Sequence, residues 1–296
     1  MQPLAALTGY CSRQDSAAPL AVVRAIVGLD IALCAADCWF IVRQFYQPGR
    51  LRVPFDWGGT LPLPEALAVP FVAVLAGLGL LLAVGIATRP VGLLASVMMF
   101  YFLLMDQQTY SNHLYLLAIE AGLIGLAWLG PVGPAGQLRV ARWPVTLLKV
   151  QISVVYFFAA VSKLTPAFLS GSVLAEVWAS DGLVRVPADW QTPAVLQSAA
   201  WATVATELFL AFALWSRRWR GVAAVLGPAF HLGTLLLVPA PLALGVMIFA
   251  IATLAPYGLF FVDDSPAADS ASAAATAAAA AGSGPTIPAD GAATSS

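Results

Sequence analysis

The sequence predicts an all-α fold, a polytopic membrane helical bundle of about eight transmembrane helices, on three observations. Sixty per cent of its 296 residues are hydrophobic and 10% are charged. Mean hydropathy is +0.85, far above that of soluble domains. The chain also divides into apolar blocks near the length that crosses a bilayer, separated by short stretches rich in turn-forming residues. The 14 basic and 15 acidic residues nearly cancel, so net charge offers no nucleic acid or anionic surface as a partner.

The N-terminal stretch "MQPLAALTGYCSRQ" has no basic region followed by a short apolar core and a small-residue cleavage pattern. Residues 1–18 are therefore expected to remain as a cytoplasmic segment. Spans are expected near 19–42, 66–87, 90–105, 113–130, 145–164, 197–215, 220–238 and 242–261, within a transmembrane domain covering 19–262. The breaks "YQPGRLRVPFDWGGTLPLP", "TRP", "GPVGPAGQ", "SRRWR" and "VPAP" carry the turn chemistry between them. Residues 263–296, rich in Ala, Ser, Gly and Pro, lack the large apolar side chains that offset chain entropy and are expected to form a disordered tail.

Loop arginines predict the orientation. With the N-terminus inside, Arg13, Arg89, Arg139, Arg142, Arg217, Arg218 and Arg220 lie inside, against Arg43, Arg50, Arg52 and Arg185 outside. This bias favours both termini in the cytoplasm and puts "DQQTYSNHLYLL" (106–117) at the outer face, the expected side of any active site. The expected setting is a multi-pass protein of a bacterial cell membrane. Cys34 and Cys38, one helical turn apart with no further Cys or His nearby, read as buried packing residues, and no metal site is expected. The chain has no Walker-type glycine loop, HExxH motif, nucleophile elbow or repeat of fixed period.

Ionisable residues inside the spans carry most information, because each costs several kcal/mol in hydrocarbon unless paired, hydrated or neutral. They are Arg24, Asp30, Asp37, Glu120, Lys149, Lys163, Glu207 and His231. Lys149, Tyr156 and Lys163 recur every seven residues, as do His113 and Glu120, so each set lies on one helix face. Arg24, Glu120 and Glu207 are read as structural intramembrane charges, with Arg24 or a hydroxyl as partner for the acids. Lys163 ends an apolar helix before Pro166, where desolvation favours a neutral amine suited to act as a general base, although interfacial snorkelling also fits.

Several segments, in order, resemble a known family. "PLAVVRAIVGL" resembles a first-helix pattern with an arginine and a glycine, and "DQQTYSNHLYLL" resembles an aspartate followed by an aromatic and an Asn-His pair. "KVQISVVYFFAAVSKL" resembles a stretch ending in an essential lysine, and "TELFLAF" and "PAFHLGT" resemble later segments bearing an acid and a Phe-His pair. From about residue 19 to 262 the chain resembles the horizontally transferred transmembrane (HTTM) domain, the membrane part of vitamin K-dependent gamma-carboxylase. Phe168 and Thr234 stand where the family carries tryptophan and asparagine.

The resemblance implies a quinol- and oxygen-dependent carboxylase or oxygenase using a reduced naphthoquinone, vitamin K or menaquinol. Lys163 would be the base and His113 its catalytic assistant, with Asn112, Tyr156 and His231 in the quinol pocket. In the carboxylase, the lysine deprotonates the quinol, and its reaction with oxygen generates the stronger base that prepares a glutamate for CO2 addition. Residues 263–296 show no counterpart of the animal enzyme's lumenal substrate-binding region, which leaves a secreted peptide or protein as one substrate among several. Two other classes stay open. One is a non-catalytic membrane component for maturation, export or tolerance of a secreted peptide; the other is a small-solute transporter using Arg24, Glu120 and Glu207.

Overall fold

Apolar side chains cover much of the outer surface in the computed structural model: Val97 is 64% exposed, Phe212 63% and Val225 72%. A surface of that kind is stable against lipid tails and not against water. The structure describes residues 14–49, 51, 53–55, 63–127, 139–180 and 182–262. The expected tail and most of the N-terminal segment lie outside the described residues.

Strand β1 (Gln14–Ser16) leads into α1 (Ala18–Phe45), followed by α2 (Glu65–Val84), α3 (Thr88–Leu103) and α4 (Asn112–Leu126). Strand β2 (Arg139–Ala141) opens α5 (Arg142–Ser162), and two short helices follow, α6 (Pro166–Leu169) and α7 (Ser172–Ala179). Then come α8 (Pro193–Ala213), α9 (Arg220–Leu237) and α10 (Ala240–Leu254), the last continued by a 3-10 segment, Ala255–Phe261. Among the described residues, six helices are long and apolar enough to cross a membrane: α1, α2, α5, α8, α9, and α10 with its extension. The expected third and fourth spans are the shorter apolar helices α3 and α4. All eight expected spans thus coincide with helices, and the chain is an integral multi-pass membrane protein.

The sequence reading had no elements between 164 and 196 and no strands, and the structure differs at both places. β1 pairs antiparallel with β2, and Arg142 clamps Asp15 through Nε at 3.0 Å and Nη2 at 2.5 Å, fixing the start of α1 beside the start of α5. A bidentate guanidinium–carboxylate contact of this kind holds orientation as well as position. At the opposite end of the bundle, Val184 N–H donates to the Leu236 carbonyl at 2.9 Å, so the α7–α8 connection lies against the end of α9.

The tightest packing is between α1 and α2 and between α3 and α4. The α1–α2 crossing rests on Gly28 and Gly79. A Cβ at Gly28 would collide with the Ala83 backbone nitrogen, and one at Gly79 would meet that of Ala32 at 2.7 Å. Glycine is required because only backbone atoms fit between the two helices, a recurrent solution where lipid supplies no hydrophobic drive between them. Arg24, one turn from Gly28, donates Nη1 to the Leu82 carbonyl and, at 3.0 Å, to the Ala83 carbonyl. A cation there satisfies the open carbonyls at the C-terminal end of α2 and complements its dipole. The partners of Arg24 are thus backbone carbonyls rather than Glu120 or Glu207.

α10 packs on α1 and α4 and also on α9, and the 3-10 segment that continues it packs on α1 and α5. The apolar interior accordingly forms two clusters, a large one centred on α1–α4 and a smaller one among α5, α8, α9 and the terminal 3-10 segment. Cys34 and Cys38 are fully buried in the first.

Gly79→Val is expected to destabilise the protein by about 1–3 kcal/mol through overpacking, read as a lower thermal midpoint in detergent. Gly77→Val on the same helix, where a Cβ meets no atom within 4 Å, is expected to leave that midpoint unchanged.

Candidate functional site

A cavity of about 710 Å³ opens among α5, α8, α9 and α10, with the first turn of α4 in one wall and α6 and α7 in another. Its size is that of pockets that enclose small organic molecules. Most of the wall is aliphatic or aromatic, including Phe168 and Trp178 from the short helices and Phe230 and Phe249 from α9 and α10. The polar groups are few and come from four helices: Asn112 and His113 on α4, Tyr156 on α5 and Lys163 at its C-cap, Thr203 and Glu207 on α8, and His231 and Thr234 on α9. All five residues expected from the sequence to act or bind, Lys163, His113, Asn112, Tyr156 and His231, line this one space. Glu207, grouped from the sequence with the structural charges, lines it as well.

Lys163 is the C-cap of α5, and Thr165 caps α6 immediately after by accepting from Phe168 N–H at 3.3 Å. Two consecutive caps turn the chain at that point. The lysine Nζ donates to Glu207 Oε1 on α8 at 2.8 Å and to the Ala159 carbonyl at 3.1 Å. It also lies 5.9 Å from the centre of the Phe168 ring, at the position where the related family carries tryptophan. The lysine side chain is 27% exposed and that of Glu207 6%, so the ammonium end reaches the cavity while the carboxyl end is enclosed. Glu207 Oε2 is buried without a partner. Such an atom is costly unless a bound molecule supplies a donor.

The Asn112–His113 pair reaches the cavity because the preceding stretch is anchored. Asp106 is fully buried and accepts from Val53 N–H and Gln108 N–H, each at 2.9 Å. Gln107 and Gln108 donate their side-chain amides to the carbonyls of Pro54 and Leu51 at 2.8 and 2.6 Å. Ser111 then caps α4, accepting from Leu114 N–H at 3.4 Å. The polar run is thus a strut in its first half and a cavity wall in its second. His113 Nε2 lies 2.9 Å from Asp37 Oδ2 on α1 and 3.3 Å from Ser111 Oγ.

A third polar group lies deeper. Tyr156 Oη is hydrogen-bonded to His231 Nε2 at 2.9 Å and to Tyr257 Oη at 2.6 Å, forming a chain from the terminal 3-10 segment to α9. Tyr156 is 2% exposed, so its ring closes the cavity while its hydroxyl holds the chain together.

The heptad faces are only partly reproduced in the cavity wall. Tyr156 and Lys163 share the cavity, whereas Lys149 lies away from it, with Nζ 5.7 Å from the centre of the Phe260 ring. His113 reaches the cavity, and Glu120, two turns on, is buried in the bundle outside the cavity wall with neither carboxyl oxygen partnered. Sequence reasoning assigned no role to Asp37 or Tyr257. Asp37 carried a signal as an acid within a span, but Tyr257 carried none.

Fold and site together define a class: a multi-pass helical membrane protein with a mostly apolar, small-molecule-sized cavity bearing a lysine–glutamate pair and two histidines. The chain belongs to the HTTM domain family, whose model matches residues 12–264, and so to the membrane proteins of the gamma-carboxylase-like group. No curated protein and no solved structure matches it.

Replacing Tyr156 by Phe leaves the His231 and Tyr257 polar atoms without their shared partner. Tyr156→Phe is expected to cost about 1–3 kcal/mol, measured as a lower midpoint of thermal unfolding in detergent.

Proposed function

We propose that the cavity binds a reduced isoprenoid quinone and that the Lys163–Glu207 pair is the acid–base centre of a quinol- and oxygen-dependent carboxylase or oxygenase. The observation that carries this reading is Lys163 and Glu207 at 2.8 Å in the cavity wall with Glu207 Oε2 lacking a partner. A ligand hydroxyl supplies the donor that Oε2 needs, and the aliphatic and aromatic wall accommodates an apolar ring and tail. When bound, the quinol supplies the reducing electrons for oxygen chemistry.

The pair has one proton to share between amine and carboxyl, as ammonium with carboxylate or as amine with carboxylic acid. Taking the proton of a ligand hydroxyl brings the pair to a net charge of +1 beside the ligand oxygen, so charge is balanced within the cavity. Glu207 holds the hydroxyl at Oε2, Lys163 holds the transferred proton at Nζ, and the Ala159 carbonyl accepts from the ammonium as it forms. Tyr156 and His231 bound the ring side of the cavity, and Asn112 offers an amide to a second ligand oxygen. With arginine loop bias setting the orientation, the site faces the outer side of the membrane.

The test is protein purified in mild detergent. An isoprenoid quinone is expected to co-purify, identified by mass spectrometry, and Lys163→Ala is expected to lower quinol consumption at least ~10²-fold, the scale of general acid–base catalysis, while retaining the fold. Unchanged consumption in Lys163→Ala overturns the reading. Full biological complementation by Lys163→Met assigns the chain instead to the non-catalytic membrane components.

A further inference from the structure

Lys163–Glu207 is one of two acid–base pairs that reach the cavity. The other joins His113, in the first turn of α4, to Asp37, in the last third of α1. Their side chains are 11% and 20% exposed, so the contact is largely screened from solvent by the bundle. Nothing in the family assignment or in the acid–base reading of Lys163 requires an acid at position 37.

We infer that Asp37 is a positioning residue that fixes His113 as the Nε2–H tautomer and so directs Nδ1, as a proton acceptor, at the bound molecule. An ionised carboxylate only accepts hydrogen bonds, so the 2.9 Å contact places the imidazole proton on Nε2. The neutral ring then carries its lone pair on Nδ1. That edge of the ring faces α10 at Gly245, where a Cβ would stand 3.1 Å from Cε1 and 3.4 Å from Nδ1. Gly245 and His113 are both in the cavity wall. The missing side chain at Gly245 therefore keeps the acceptor edge uncovered on the cavity side.

Ser111 Oγ, 3.3 Å from Nε2, stands beside the same edge as Asp37 and leaves Nδ1 untouched. The acid also stabilises the ring after it gains a proton, because the imidazolium then faces a carboxylate it already contacts. The cavity thereby holds a proton acceptor on α4 separate from the one on α5 and α8, suited to a second protic oxygen of the ligand. This extends the acid–base reading above and rests on it only for the effect on turnover.

The tautomer can be observed directly. The chain has two histidines, so the nitrogen-15 spectrum of histidine-labelled protein contains two imidazoles, and His231→Gln identifies the signals of His113. In mildly alkaline buffer the wild type is expected to show His113 protonated on Nε2 and bare on Nδ1. Asp37→Asn is expected to move His113 towards the Nδ1–H form, and Asp37→Ala to leave a mixture. Asp37→Glu is expected to restore the wild-type pattern, which a purely structural role for the residue does not predict.

In turnover of a quinol that the wild type consumes, Asp37→Asn is expected to lower kcat by at least ~10-fold with little change in KM. An unaltered His113 tautomer in Asp37→Asn and Asp37→Ala overturns the inference. So does an altered tautomer with unaltered kcat. If wild type and Lys163→Ala prove equal in turnover, the reading of Lys163 fails, and the tautomer still decides the role of Asp37.

Discussion

A lysine in an apolar bundle needs partners that offset its lost hydration, and at Lys163 the carboxylate of Glu207 comes within hydrogen-bond distance. Removing each charge from water costs several kcal/mol, and the mutual attraction offsets this only at close range with the remaining polar atoms satisfied. The 2.8 Å contact therefore ties the end of α5 to the middle of α8 and fixes their relative height. The chain between them has to leave and re-enter the bundle at the same end. α6 and α7 occupy that stretch and supply Phe168 and Trp178 to the cavity wall. The pairing of two charges and the partial enclosure of the cavity are consequences of one connection.

The other intramembrane charges are handled differently, and the contrast shows which belong to the site. Arg24 is satisfied by the carbonyls at the end of α2, a purely internal arrangement that leaves little capacity for a ligand. Asp30 and Glu120 are buried between α1, α4 and α10, Asp30 beside the backbone N–H of Ala252 and Glu120 with neither carboxyl oxygen partnered, and neither lines the cavity. Among the described residues, Lys163–Glu207 and His113–Asp37 are the pairs that combine a charge-capable partner with access to the cavity. Having a partner and reaching open space, rather than merely being charged within a span, separates the groups of the candidate site from the other intramembrane charges.

Hydropathy made the fold legible, since each expected span coincides with a helix to within a few residues. Periods in the apolar pattern follow directly from bilayer thickness, and no tertiary knowledge is needed to see them. The convergence of Lys163, His113, Asn112, Tyr156 and His231 was legible through the resemblance and the end positions of the spans. The partners were not, because which acid meets which base depends on helix adjacency. Glu207 was thus matched to Arg24 or a hydroxyl, whereas packing of α8 on α5 gives it Lys163. α6 and α7 went unseen because four and eight residues are too few to show a period. Tyr257 sits in "LAPYGLF", where nothing distinguishes a network member from an ordinary interfacial tyrosine.

The stretch from Asp106 to His113 shows why a polar run at a helix start can be both structural and functional. A histidine on an unrestrained loop would sample many positions, and its acceptor nitrogen would spend little time toward a ligand. Here Asp106, Gln107 and Gln108 direct their polar groups to the backbone of Val53, Pro54 and Leu51, and Ser111 uses its hydroxyl in the cap of α4. Those contacts bind the loop to the segment that follows α1, the same helix that brings Asp37 to the imidazole. Loop and carboxylate are therefore referenced to one rigid element. Because α1 is itself locked to α2 through Gly28 and Gly79, the geometry at His113 is inherited from a helix crossing that makes no contact with the cavity.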